Sequence, residues 1–368
     1  MGRTAFYWDE RCFWHAGGNY ALTMPVGGLI QPQAAGGLAE SPETKRRLKN
    51  LMEVTGLIGD LDVRSAPPAG WHDLIRVHPE AFLHRFKELS DGNGGEIGEQ
   101  TPFGPGGFDI ACVSAGLAGA AVAEVLRGTH PNAYALSRPP GHHCLPDWPN
   151  GFCLLANIAI AIEAARADGL GRRFAVVDWD VHHGNGTEAI FYDRDDVLTI
   201  SIHQDRNYPE DTGFVAHRGR GAGEGFNMNV PLPPGAGHAT WLEAVERLVV
   251  PALAAYRPDI VIVACGYDAA LVDPLSRMMC TAETYRLMTR RMMEVAAEVC
   301  AGKLAIVHEG GYSELYVPFC GHAVIEELSG SAKSAPDPLA EVYMRRQPPA
   351  RMQALFSEMI GEMAAAFF

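Results

Sequence analysis

The sequence lacks two features that would place a protein in a common class at once. Its eight cysteines include no Cys-x-x-Cys pair, which argues against a zinc knuckle or redox motif and favours reduced, buried thiols. It also lacks basic charge, since 30 lysines and arginines face 44 acidic residues and the net charge is −14. That balance argues against tight binding to nucleic-acid backbones or anionic membranes, and it is compatible with cationic or neutral small ligands.

A long apolar segment is also missing. The most hydrophobic stretch, residues 110–126, contains Ser114 and Glu124 and predicts a buried Ala/Gly-rich helix rather than a bilayer span. The first residues run directly into the aromatic and charged stretch from Phe6 to Trp14, without the apolar core of a secretory signal. We therefore expect a cytoplasmic protein with no membrane segment.

What the sequence does contain is enough apolar residues for a large core. Of its 368 residues, 47% are hydrophobic and 20% are charged, as in packed globular proteins. Short β-branched runs alternate with longer helical patterns, which predicts a single α/β domain over residues 1–368 with a mainly parallel sheet flanked by helices on both faces. The predicted strands are 133–136, 174–177, 197–202, 260–264 and 304–307, and the predicted helices are 109–126, 156–167, 239–256 and 282–299.

Polar clusters follow all five predicted strands. In open parallel sheets the loops at the carboxyl ends of the strands converge on one crevice, so we expect these clusters to form a common site. The clusters are Arg138-Pro-Pro-Gly-His142-His143, Asp178-Trp-Asp-Val-His182-His183-Gly-Asn185-Gly, Ser201-Ile-His203, Gly266-Tyr-Asp268 and Glu309-Gly-Gly-Tyr312.

The second cluster has the residue types of a metal site. If the strand continues through residue 182, then Asp178, Asp180 and His182 alternate onto one face, and Asp268 arrives from a neighbouring strand end. Two carboxylates and an imidazole suit a catalytic zinc that keeps a position open for water, and iron or manganese accept the same donors.

The remaining clusters supply acid–base groups. His142 and His143 follow a rigid Pro-Pro-Gly turn, where a neutral imidazole can take a proton from a water molecule at the metal and return it to a leaving amine. Asp178 is placed to orient one of these imidazoles. Tyr312 follows two glycines that allow a sharp bend, and its hydroxyl can hydrogen-bond a developing oxyanion.

Together these motifs resemble the histone deacetylase superfamily, and within it the class II branch with its bacterial deacetylase-like amidohydrolases. The resemblance covers residues 75–330 in the expected order, and the string from Asp178 to Thr187 is highly specific. It implies an arginase/deacetylase α/β fold. It also implies zinc-dependent hydrolysis of N-acyl, acetyl-lysine-like amides to a carboxylate and a free amine.

The resemblance also implies roles for individual residues. One zinc ion would be held by Asp180, His182 and Asp268. The catalytic residues would include the tandem histidines His142 and His143. Asp178 would pair with His142, and Asn185 would sit behind His143, where the class I branch has an acid. Tyr312 would polarise the substrate carbonyl. A structural potassium ion would take ligands from Asp178, Ser201 and Ile202 and from the backbone of Asp180 and His182.

The substrate channel is where this chain departs from the family pattern. The resemblance implies walls formed by Gly151, Phe152, Tyr208 and Leu275, with Glu99 as an acidic rim residue that binds the substrate backbone. Phenylalanine is usual at position 208 and commoner at 267, where this chain has Tyr208 and Tyr267, and Cys144 stands where alanine is common. These departures bear on the substrate rather than on the zinc chemistry.

Several alternatives remain. A dinuclear manganese ureohydrolase would need further carboxylates where Gly184 and Ala270 stand, and a serine hydrolase would need a Gly-x-Ser-x-Gly elbow that is absent. The substrate can be an acylated lysine, an acetylated polyamine or another small amide, and a non-catalytic acyl-ligand binding protein is a further reading. We expect a homo-oligomer, dimer or tetramer, with residues 16–37 over the channel mouth or in a subunit interface.

Overall fold

The computed structural model describes residues 2–16, 20–21, 24–31 and 38–368. Much of the segment 16–37, with its predicted lid or interface role, lies outside the described residues. Eight parallel strands form the central sheet, in the spatial order β6-β5-β4-β7-β8-β3-β1-β2. The strands are β1 Ala5–Tyr7, β2 Asp62–Arg64, β3 Asn132–Ala135, β4 Phe174–Asp178, β5 Val197–Gln204, β6 Asn227–Leu232, β7 Ile260–Cys265 and β8 Leu304–His308.

Helices surround the sheet, because parallel neighbours must be joined by crossovers that a helix usually makes. The α-helices are α1 Glu43–Thr55, α2 Trp71–Leu74, α3 Glu80–Asp91, α4 Gly107–Arg127, α5 Asn157–Ala167, α6 Asn185–Phe191, α7 His238–Ala244, α8 Val250–Tyr256, α9 Ala282–Cys300, α10 Val317–Ser329, α11 Ala340–Arg345 and α12 Ala350–Phe367. Short 3-10 segments lie at Glu10–Trp14, Leu57–Asp60 and Gly221–Gly223. Two-residue strands pair at Tyr20–Ala21 with Met24–Pro25 and at Gly95–Glu96 with Pro102–Phe103.

The α/β prediction is confirmed, with differences at the edges. All five predicted strands are present, with ends shifted by one or two residues. The strands β1, β2 and β6 were not predicted. The helix predicted over 239–256 consists of α7 and α8 joined without a break by the π-helical turn Val245–Val249.

The core is buried on both sides of the sheet, and its most apolar helix is α4. This helix has 21 residues, and its most apolar 18-residue window has a mean hydropathy of 1.6, so by length and composition it is apolar enough to cross a bilayer. It packs against α5, β1, β3 and β8, and two thirds of its most apolar window is buried. Both observations are typical of a core helix. All eight cysteines are buried and free of disulfide bonds.

Strand register aligns the site residues at one edge of the sheet. In β4, Asp178 pairs with Ser201 of β5 and with Ala264 of β7, and Cys265 at the end of β7 pairs with His308 of β8. The polar segments that follow these strands therefore leave the sheet side by side, as the sequence predicts.

Candidate active site

The segment after β4 approaches the site through tight turns. The strand ends at Asp178, so the condition for alternating side chains, that the strand continues through residue 182, is not met. Instead, the Asp180 N–H donates to Asp178 Oδ1 at 3.0 Å, and the His182 N–H donates to Asp180 Oδ1 at 2.9 Å. Aspartate side chains that accept the N–H two residues on stabilise turns of this kind. Two successive turns thus bring Asp180 and His182 to the same place.

Three predicted metal ligands converge on one point. His182 Nδ1 lies 3.1 Å from Asp180 Oδ1 and 3.2 Å from Asp268 Oδ2. The other carboxylate oxygens are occupied, because Asp268 Oδ1 accepts from the Val181 N–H and Asp180 Oδ2 from the Gly310 N–H, both at 2.8 Å. Asp268 Oδ2 is buried without a hydrogen-bond donor among the described residues. A buried carboxylate in this state fits a bound cation.

Glycines allow the carboxylates to come this close. A Cβ atom on Gly266 would lie 2.1 Å from Asp180 Oδ2, inside van der Waals contact. A Cβ atom on Gly310 would lie 2.4 Å from Asp268 Oδ2, 2.6 Å from Asp180 Oδ2 and 3.0 Å from the Tyr312 hydroxyl. The Tyr312 hydroxyl therefore faces the same point as the two carboxylates.

The histidine pair has two different environments. His142 Nδ1 lies 3.0 Å from Asp178 Oδ2, and His142 Nε2 lies 3.8 Å from Asp180 Oδ1. Burial alone would lower the pKa of His142, but the carboxylates of Asp180 and Asp178 outweigh burial and raise it to about 10. A divalent cation on Asp180 would offset part of that effect.

His143 is the neutral member of the pair. Its Nδ1 donates to Asn185 Oδ1 at 2.8 Å, which leaves Nε2 without a proton. Burial and the nearby His142 and His182 rings hold the pKa of His143 well below its ordinary value. Two imidazoles with opposite pKa shifts at one site are typical of acid–base catalysis.

A narrow pocket of about 180 Å³ leads to these groups. The ring centroids of Phe152 and Tyr312 are 5.7 Å apart, and those of Tyr208 and His143 are 5.1 Å apart. Gly151 has φ +54°, and a Cβ there would lie 2.3 Å from His143 Cδ2, so only glycine fits beside that ring. The pocket is lined by Gln100, His143, Gly151, Phe152, His182, Asn207, Tyr208, Leu275 and Tyr312.

One predicted substrate residue does not line this pocket. The side chain of Glu99 is exposed, and its backbone braces the pocket wall by bonding Pro149 O at 3.0 Å and the Gly151 N–H at 3.1 Å. The adjacent Gln100 lines the pocket instead. Glu99 thus contributes backbone bonds to the pocket wall, and its side chain is exposed to solvent.

The residues predicted for potassium lie behind the metal cluster. Ser201 is the strand neighbour of Asp178, and its Oγ lies 2.9 Å from His203 Nδ1 and accepts from the Gly184 N–H at 3.4 Å. Ile202 is fully buried.

The comparisons with known proteins agree with this geometry. Residues 38–328 match the model of the histone deacetylase domain. The chain is 55% identical over 365 residues to a histone deacetylase-like amidohydrolase of Pseudomonas aeruginosa, covering 99% of this chain and 96% of that protein. The chain belongs to the histone deacetylase family. Its relatives in this family are deacetylases and amidohydrolases, so it is a hydrolase of that group.

Two more distant relatives of this deacetylase-family chain agree. A probable deacetylase of Archaeoglobus fulgidus is 39% identical over 268 residues, which is 73% of this chain and 74% of that protein. The crystal structure of the HDA15 HD domain superimposes with a TM-score of 0.82 at 29% identity and covers 100% of this chain and 99% of that chain. The arginase/deacetylase fold is confirmed.

The two positions where a dinuclear centre needs further carboxylates are Gly184 and Ala270, and the deacetylase-family site has no room for a larger side chain at the first. A Cβ on Gly184 would lie 2.3 Å from Asp178 Oδ2, so a larger side chain there would clash. Ala270, at the other place, is buried and has no ligand atom. Both observations disfavour the dinuclear manganese reading.

Several residues that shape the site had no role assigned from the sequence, although Glu309 was placed in one of the five polar clusters. Glu309 Oε2 accepts from the Gly141 N–H at 2.7 Å and the His142 N–H at 3.2 Å, so it holds the turn that carries the histidine pair. Burial raises the pKa of Glu309 to about 7. Its position after β8 was a usable signal, but the lining residues Gln100 and Asn207 lie in loops without any pattern.

Proposed function

We propose that this chain hydrolyses N-acyl amides of the acetyl-lysine type with one zinc ion, giving a carboxylate and a free amine. One observation carries the proposal. At the inner end of a narrow pocket, three metal-type donors lie beside a neutral imidazole and a phenol. Asp180, His182 and Asp268 would hold the zinc. When bound, the zinc acts as a Lewis acid on the substrate carbonyl and lowers the pKa of water.

The protein side chains supply proton transfer and charge stabilisation. His143 has a free Nε2, because Nδ1 donates to Asn185, so it can take the proton of the attacking water and return it to the departing amine. Tyr312 donates a hydrogen bond to the carbonyl oxygen as negative charge develops there. Asp178 contacts Nδ1 of His142 and so orients the ring with Nε2 toward Asp180.

The pocket walls support an extended acylated amine as the substrate. Phe152 and Tyr208 form aromatic walls, and Gly151 adds no side chain between them, which suits an unbranched alkyl chain. The exposed carboxylate of Glu99 supports an acetylated polyamine as a second candidate, because the free amino groups of that substrate are cationic and the chain has a net charge of −14.

A substrate panel tests this function. We expect purified zinc-loaded protein to cleave acetyl-lysine peptides, trifluoroacetyl-lysine, acetylputrescine and small aliphatic amides with kcat/KM values that differ by more than about tenfold, because pocket contacts discriminate between them. The His143→Ala variant is the control for contaminating activity, and it should lose hydrolysis while keeping its metal. A wild-type protein that cleaves none of these amides contradicts the proposal and favours an acyl-ligand binding protein.

The surroundings of the site support further proposals. We propose a structural potassium ion bound by Asp178, Ser201 and Ile202 with the backbone of Asp180 and His182, supported by the pairing of Asp178 with Ser201.

We also propose that the protein is a single-domain, cytoplasmic homo-oligomer, either a dimer or a tetramer, and that it does not bind nucleic acid or membranes. The net charge and the free, buried cysteines support this proposal, and light scattering on the purified protein tests the oligomeric state.

A further inference from the structure

The orientation of the Asn185 side-chain amide decides whether His143 has a free base. With Oδ1 toward the ring, Nδ1 keeps its proton and Nε2 is unprotonated. If the amide turned over by half a rotation, its N–H would face Nδ1 and the ring proton would move to Nε2, which removes the base. An aspartate has two equivalent oxygens and presents an acceptor either way. An asparagine therefore needs a neighbour that selects one orientation.

Asn150 is that neighbour, and its own orientation is fixed. Asn150 Nδ2 donates to the backbone oxygens of His143 at 2.6 Å and Trp148 at 3.3 Å, and carbonyl oxygens only accept. Its Oδ1 is therefore left to face Asn185, whose Nδ2 donates to it at 3.4 Å. Asn150 is 4% exposed, so water does not compete for these groups.

Tyr208 adds a second donor to the same oxygen. The Tyr208 hydroxyl donates to Asn150 Oδ1 at 3.4 Å, while its ring forms the channel wall beside His143. If the Asn185 amide turned over, its oxygen would face Asn150 Oδ1, and two acceptors would meet in a buried place. The hydrogen bonds that link Tyr208, Asn150, Asn185 and His143 in series thus favour a single tautomer of the imidazole.

We propose that Asn150 is a positioning residue that fixes the Asn185 amide and thereby the tautomer of His143, with Tyr208 as a second support. Asn150 also bonds the His143 backbone, but it reaches the imidazole through Asn185 and does not line the pocket. The proposal rests on the proposed function of His143 as the base, and it gives the hydroxyl of Tyr208 a role in the channel wall that phenylalanine could not fill.

A double-variant comparison separates positioning from general structural support. Asn150→Ala should lower kcat about tenfold and change KM less than about twofold, because only part of the enzyme then carries the productive tautomer. In an Asn185→Asp background the same replacement should change kcat less than about twofold, since a carboxylate needs no orienting partner. An equal loss in both backgrounds, or no loss in the first, overturns the proposal.

Nitrogen-15 NMR of imidazole-labelled protein reports the tautomer without turnover. The His143 signals, identified by their absence in His143→Ala, should show a protonated Nδ1 and a free Nε2 in the wild type and a tautomer mixture in Asn150→Ala. Tyr208→Phe is the milder variant if Asn150→Ala does not fold, and it should shift the signals in the same direction and lower kcat about two- to threefold.

The two proposals fail in different ways. A wild-type protein inactive on every amide of the panel refutes the proposed function, while the NMR spectra still test the Asn150 contact. An active wild type with an unchanged His143 tautomer in both Asn150→Ala and Tyr208→Phe refutes the role of Asn150 alone.

Discussion

Two buried clusters of charged side chains lie in this protein, and they differ in how their charge is balanced. In the first, Arg138 Nε donates to Glu40 Oε1 at 2.9 Å, Lys45 Nζ lies 3.5 Å from the same oxygen, and all three side chains are at most 2% exposed. The second contains Asp180, His182 and Asp268. Among the residues that the structure describes, no lysine or arginine forms an ion pair with either of these aspartates.

The difference separates a structural ion cluster from a functional one. Arg138 also donates to the backbone oxygens of Cys12 and His15, at 2.9 and 2.8 Å, so the first cluster joins distant segments, and its carboxylate is paired with a lysine and an arginine. The aspartate cluster has no such lysine or arginine partner among the described residues, and burial together with the charge of Asp180 raises the pKa of Asp268 to about 6. The carboxylates in turn raise the pKa of His182 and of His142 to about 10, so titratable imidazoles are their protein partners and the proposed metal would supply the permanent counter-charge.

The largest expected effect comes from removing a carboxylate of the aspartate cluster. Asp268→Asn should lower kcat about a thousandfold and reduce bound zinc, because Lewis-acid stabilisation is worth several kcal/mol. The metal-free variant should be at least as stable in urea as metal-free wild type, since one of two adjacent buried carboxylates is gone. Full zinc content by elemental analysis, or a large loss of stability, would place Asp268 with the structural cluster instead.

Next in size is the phenol at the inner end of the pocket. Tyr312→Phe should lower kcat for an unactivated amide about a hundredfold, as expected for one lost oxyanion donor. Tyr208→Phe removes a hydroxyl from the same pocket and is the matched control, with an expected loss of only about two- to threefold. Equal effects of the two substitutions on kcat would deny Tyr312 a special role.

A substitution in the structural cluster should lower the free energy of unfolding and leave the zinc content unchanged. Glu40→Gln leaves Arg138 and Lys45 buried without a counter-charge and should lower the free energy of unfolding by about 3–5 kcal/mol. Zinc content and kcat of the folded variant should stay within about twofold of wild type, since Glu40 touches no proposed ligand. Urea unfolding and elemental analysis measure the two properties on one sample. A stable variant that had lost its zinc would overturn the distinction between the clusters.

The smallest effect is a pH dependence of stability. Burial would raise the pKa of Glu40, but Arg138 and Lys45 outweigh burial and hold it at about 2, below the ordinary value of 4.5. A depressed carboxylate pKa contributes stability that is complete above about pH 4.5 and is lost as the pH falls toward 2. The stability difference between wild type and Glu40→Gln should therefore be constant at neutral pH and shrink over that interval in urea titrations. A difference that instead shrinks between pH 6 and 8 would point to another group.

The sequence predicts the centre of the molecule better than its edges, for physical reasons. The five strands at the centre are apolar and end in polar clusters, so both their position and their shared edge can be read from the residues. The strands β1 and β2 have only three residues each, too few to show a pattern, and β6 contains two asparagines and Pro231, which an edge strand tolerates.

Prediction of the site from the sequence has the same limit as prediction of the strands. The metal-type donors were found because they follow strands, although Asp180 and His182 reach the cluster by turns and not by alternation. Glu40 and Asn150 gave no signal, because their partners Arg138 and Asn185 are distant in sequence and become neighbours only in the fold. Pairing of this kind depends on tertiary packing.

The zinc content of active protein is the decisive measurement for zinc-dependent hydrolysis by this chain. We expect one zinc ion per chain by elemental analysis, loss of acetyl-lysine hydrolysis after chelation, and recovery of that activity on addition of one equivalent of zinc. Zinc-free protein that still cleaves the amide at the wild-type rate would contradict this expectation.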